Sequence, residues 1–171
     1  MSLPEIVRWA VAALLTGVLA FAAVTDIRLR KIPNWTVLAS LGLFVVWAFV
    51  HPISWDLWAL AAGLIAFAVT FGLYSAGLVG AGDSKLFAAV ALFAGLGHLA
   101  PLTFATAIAG GLVAAISLLA KPTRTLVMFK LRGRGDYGRG VPYGVAIAIG
   151  AVLVVWSAVL NLHALKVIGL A

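Results

Sequence analysis

Gly80-Ala81-Gly82-Asp83-Ser84-Lys85 places a glycine-rich turn, an acid and a base between two strongly apolar stretches. The acid is the informative residue. An unpaired carboxylate at the edge of hydrocarbon is costly enough that an acidic side chain there implies a function or a partner. The chain has only 5 acidic residues. The one best matched to Asp83 is Asp26, at the boundary where the first apolar segment gives way to Arg28, Arg30 and Lys31.

Working outward, the rest of the chain is too apolar for a soluble domain. It is 171 residues long, 64% hydrophobic and 10% charged, with a mean hydropathy of +1.17. Soluble domains are roughly 45–50% apolar and roughly 25% charged. The expectation is an all-α polytopic membrane protein with about six transmembrane helices in a single bundle and one domain over 1–171. The predicted spans are 6–24, 35–50, 57–73 or on to 78, 83–99, 102–120 and 141–162, with turns marked by Pro33, by the glycines at 80 and 82, and by Pro101. Basic residues follow the first apolar run rather than precede it, so that run reads as a retained helix and not a signal peptide. The absence of cysteine excludes disulfides, thiolate metal sites, a cysteine nucleophile and a cysteine-linked lipid. His51, His98 and His163 have no helical ligand spacing, so no metal site is expected.

A net charge of +7 does not point to nucleic acid, because the charges track the membrane. Apart from Arg8 and Lys166, every basic residue falls in the first, third or fifth loop. The positive-inside rule makes those loops cytoplasmic, which puts both termini outside the cytoplasm and both aspartates at the cytoplasmic face. The connection at 121–140 is the most basic, with a stretch at 123–131 that mixes apolar and basic residues and reads as a short interfacial helix, followed by a glycine-rich connector. Topogenic charge and contact with anionic lipid account for it.

Two acids on one membrane face match the needs of peptide-bond hydrolysis. One carboxylate takes a proton from water while the other, protonated, donates to the carbonyl oxygen or leaving amine. Each acid also has a local structural reading. Asp83 suits the N-terminus of a helix, and Arg28, Arg30 or Lys31 can neutralise Asp26 at the surface. Gly80 and Gly82 fit a tight turn with close backbone approach. Lys85 is a candidate for orienting that turn or a substrate carbonyl, or for snorkelling to headgroups.

Asp26-Ile27-Arg28 followed by Ile32-Pro33-Asn34, together with Gly80-Ala81-Gly82-Asp83-Ser84-Lys85, resembles the two motifs of the type IV prepilin peptidases. Val141-Pro142-Tyr143-Gly144 resembles the short branch of that family serving tight-adherence (Flp) pili. The resemblance implies an intramembrane aspartyl endopeptidase of the bacterial inner membrane. It implies a pilin precursor as protein substrate, cut between a short basic leader and the apolar helix, with pilus assembly proteins and membrane lipid as further partners. Asp26 and Asp83 carry over as the catalytic pair; Gly80, Gly82 and Lys85 are candidates for an active-site turn or positioning, with ordinary loop breaking the alternative for the two glycines. Asn34, Pro142, Tyr143 and Gly144 become candidate substrate or scaffold contacts. No metal or organic cofactor is implied. Bifunctional members also methylate the new N-terminus and carry an early cysteine-bearing cytoplasmic segment; the short first loop and lack of cysteine here argue against methylation.

Two rivals use the same residues differently. A small proton-coupled transporter would relay protons through Asp26 and Asp83, and a noncatalytic subunit of a pilus or secretion assembly would need neither acid for chemistry.

Overall fold

Among the described residues the long apolar stretches form helices, and identifiable caps set several of the ends. The computed structural model describes residues 2–50, 53–120 and 142–167. Helix α1 runs Leu3–Leu29. At its start the Ser2 amide donates to Glu5 Oε2 at 2.6 Å, which satisfies one of the donors orphaned at a helix N-terminus. It ends at Arg30, in left-handed backbone (φ 53°, ψ 37°), whose amide donates to the Asp26 carbonyl at 3.0 Å. Helix α2, Asn34–Ala48, begins directly after Pro33, a residue with no amide to lose and a preset φ. Helix α3, Ile53–Ser75, stops two residues before Gly77, which takes φ 74°. Leu78 N donates to Leu73 O at 2.9 Å and Gly77 N to Tyr74 O at 2.8 Å, the paired bonds of a Schellman cap. The third span therefore does not continue to Leu78.

Helix α4, Ala81–Ala120, is broken at Gly95 (φ 62°, ψ 176°), a conformation open essentially to glycine alone. Its first limb, 81–94, brings Phe93 against Phe44 and Trp47 of α2, with ring centroids 5.5 and 5.9 Å apart. Its second limb, 96–120, returns to set Gly110 beside Tyr143. Helix α5 spans Tyr143–Val167. The turn expected near Pro101 thus lies at Gly95, and Pro101 is inside a helix.

The structure corrects the expected count of about six spans. Among the described residues there are five helices, and four are long and apolar enough to cross a membrane: Leu3–Leu29, Leu57–Ser75, Ala81–Ser117 and Tyr143–Leu160. The expected fourth and fifth spans are the two limbs of α4, on either side of the break at Gly95. With 15 residues, α2 is about 22 Å long, short of the roughly 30 Å hydrocarbon core. The all-helical bundle class stands. The expectations for 121–140, with its interfacial helix and glycine connector, fall outside the described residues, as do His51 and Val141.

Packing is that of a protein whose solvent is lipid. Small residues face inward, among them Ala12, Ala22, Ala62, Ala91 and Ala146, while Leu14, Leu38, Leu64, Phe104 and Leu153 face outward. Lipid gives no hydrophobic reward for burying large side chains between helices, so close approach of small ones dominates. Gly150 lies against the Thr106 backbone, leaving no room for a Cβ, and Gly63 lies against the Leu92 side chain. The first limb of α4 is the hub, with Leu86, Phe87, Val90, Phe93 and Ala94 all buried. Helix α1 runs antiparallel to α5, fixed by Trp9 against Trp156 (centroids 5.4 Å apart) and by Trp156 Nε1 donating to Thr16 Oγ1 at 3.0 Å. At the far end of the α1–α2 hairpin, Arg8 Nη2 donates to the Val50 carbonyl at 2.8 Å.

Candidate active site

Three helix ends meet at one end of the bundle: the C-terminus of α1 with Asp26, the N-terminus of α4 with Asp83, and the N-terminus of α5 with Gly144. Asp26 is buried, 6% exposed, although it stands three residues from the end of α1. Its Oδ2 accepts a hydrogen bond from the Gly144 amide at 2.8 Å. That amide is one of the free donors at the start of α5, a position that favours an anion. Asp26 sits at the unfavourable pole of its own helix, and the first turn of another offsets this.

Asp83 occupies the first turn of α4. Its carboxylate folds back to the backbone amide of Gly80; a Cβ at Gly80 would lie 2.7 Å from Asp83 Oδ2. The helix-terminus reading of this acid is therefore correct as local structure, but it leaves half the carboxylate unused. Asp83 Oδ1 is buried with no hydrogen-bond partner among the described residues. The two acids lie within electrostatic reach of each other and repel, whereas Arg30 lies within reach of Asp26 and attracts it.

The turn is held from two sides. Ser84, 2% exposed, donates from Oγ to the Thr70 carbonyl of α3 at 3.0 Å and to Gly80 O at 3.2 Å. On the other side Ile32 fills a slot bounded by two glycines. A Cβ on Gly82 would lie 3.1 Å from Ile32 Cβ, and one on Gly144 would lie 3.1 Å from Ile32 Cδ1. One side chain thus touches both helix starts that flank the acids.

The structure therefore brings Asp26, Gly80, Gly82, Asp83 and Gly144 into one site. Pro142 is buried and its carbonyl accepts from Val145 N at 3.3 Å, opening α5. Tyr143 is exposed, with its ring edge against Gly110 of α4. Asn34 and Lys85 are exposed and form no side-chain hydrogen bond to either acid among the described residues. Sequence reasoning missed the use of the Gly144 amide, which leaves no side-chain signature, and the distinct placement of Arg30, whose left-handed backbone cannot be read from composition. The motif residue Ile32 was visible, but its double contact was not. No group of three or more metal-ligating side chains occurs among the described residues.

Comparison with known proteins agrees with this arrangement of motifs. The sequence model of the type IV leader peptidase family matches residues 13–116. The chain is similar to a prepilin leader peptidase/N-methyltransferase of Bacillus subtilis (strain 168), 31% identical over 145 residues, which cover 83% of this chain and 53% of that protein. The chain thus spans about half the length of this relative. No solved structure matches. The family match takes in both acids and the glycine turn between α3 and α4, and on that basis the chain belongs to the type IV leader peptidase family.

Proposed function

We propose that the chain is a prepilin leader peptidase, an aspartyl endopeptidase of the bacterial inner membrane that removes a short basic leader from a type IV pilin precursor of the Flp type. The observation that carries the reading is the convergence of Asp26 and Asp83 at one end of the bundle, each on a different helix and each supported by a backbone amide. In the reaction, water attacks the scissile carbonyl and loses a proton to the ionised carboxylate of the pair. The other carboxyl group gives its proton to the leaving amine as the C–N bond breaks. The pair ends with one proton, as it began.

The site end is read as cytoplasmic from the basic residues Arg28, Arg30, Lys31 and Lys85 around it. A precursor helix lying laterally against the bundle presents its leader junction at that edge. The short α1–α2 loop and absence of cysteine favour cleavage without methylation. Purified protein in detergent, incubated with a pilin precursor, should release the leader, while Asp26→Asn and Asp83→Asn should leave the precursor intact. Full cleavage by either variant would overturn the assignment.

A further inference from the structure

We infer that Arg30 is a further catalytic residue, donating from Nη1 to the carbonyl oxygen of the scissile bond; this rests on the peptidase reading above. The first observation is conformational. Arg30 is the only non-glycine residue with positive φ among the described residues, at a helix end where glycine is the usual occupant. A large cation at such a position points to a demand on its side chain. Its amide bonds the Asp26 carbonyl, which roots that side chain one turn beyond the first acid.

The second observation is an unfilled hydrogen bond. Arg30 Nη1 is buried and has no acceptor among the described residues. A buried guanidinium N–H without an acceptor is costly, and although Arg30 lies within electrostatic reach of Asp26, its Nη1 makes no hydrogen bond to that carboxylate. The neighbouring cations Arg28 and Lys31 are exposed. On the second acid, Asp83 Oδ1 is likewise buried and unpartnered. A donor beside one acid and an acceptor on the other are the complement of a peptide carbonyl and its attacking water.

As the water oxygen bonds to carbon, its proton passes to the ionised carboxylate. The carbonyl π pair moves onto oxygen, where the Arg30 N–H holds it. Collapse restores the C=O bond, expels the amine and protonates it from the other acid. Donors aimed at a developing oxyanion act on the transition state more than on the bound substrate.

The test uses the full chain in detergent with a precursor peptide that includes the leader junction. Left-handed backbone suits glycine, so Arg30→Gly should keep the thermal midpoint of the wild type. Its kcat should fall roughly 100-fold or more, with KM changed by less than about threefold. Added guanidinium ion should restore part of that kcat in Arg30→Gly and not in Asp26→Asn, whereas equal ionic strength of sodium should not. If Arg30→Gly does not fold, Arg30→Lys decides: a folded protein with lowered kcat and unchanged KM supports the inference, and wild-type kcat overturns it. Wild-type kcat in Arg30→Gly, or a change confined to KM, overturns it while leaving the peptidase reading intact. A wild-type protein that releases no leader sinks both.

Discussion

The amide of Gly144 and the carboxylate of Asp26 are joined by a 2.8 Å hydrogen bond across 118 residues of sequence. The bond fixes the rotamer of a buried acid and ties the last helix to the first at the end where Asp83 also emerges. It also explains why position 144 lacks a side chain. A Cβ there would stand 2.9 Å from Asp26 Oδ2 and 3.1 Å from Asp26 Cβ.

Gly144→Ala should therefore push Asp26 off its donor. The overpacking should cost about 1–3 kcal/mol, visible as a lower thermal midpoint in detergent. Leader release should fall more than tenfold, on the order of the effect of displacing a reacting group by about 1 Å. Wild-type cleavage by this variant would show that the Asp26 rotamer does not matter.

Gly82→Ala and Gly72→Ala form a contrasting pair. At Gly82 the new methyl meets Ile32 Cβ at 3.1 Å, whereas Gly72 has nothing within 4 Å. The first should slow cleavage because Ile32 must shift between the two helix starts. The second should leave cleavage unchanged and gain up to about 1 kcal/mol of helix stability. Parallel unfolding and cleavage assays of the two variants would expose any failure of this ordering.

Ser84→Ala removes the 3.0 Å bond to Thr70 O and the 3.2 Å bond to Gly80 O. The expected loss is about 0.5–1.5 kcal/mol, with a severalfold drop in leader release because the adjacent Asp83 loses its brace. Thr70→Val should do little, since its hydroxyl bonds chiefly to Ala66 O at 2.7 Å within its own helix. A larger effect from Thr70→Val than from Ser84→Ala would reverse the account of what holds the turn.

Gly95→Ala should be destabilising through backbone strain. The position has φ 62° and ψ 176°, and forcing a Cβ into that region costs on the order of 1–3 kcal/mol. Pro101→Ala, inside the returning limb, should be tolerated or stabilising, because proline in a helix interior removes a hydrogen bond. Comparing their midpoints tests whether the reversal is set at Gly95 rather than at the proline.

The sequence by itself determined the class. Lipid demands long apolar helices with internally satisfied backbones, and a composition with so few charges leaves each acid conspicuous. Loop parity placed Asp26 and Asp83 on one side because charge asymmetry is a local property of loops, legible without packing. Tertiary structure alone decided which groups serve those acids. The Gly144 amide is a backbone donor, identical in kind to every other amide until a helix start brings it to Asp26. The wedge of Ile32 between Gly82 and Gly144 depends on the absence of side chains, which sequence records only as glycine. The reversal at Gly95 was missed because Pro101 is the stronger breaker by propensity, whereas the positive φ that turns the chain is a conformation open essentially to glycine.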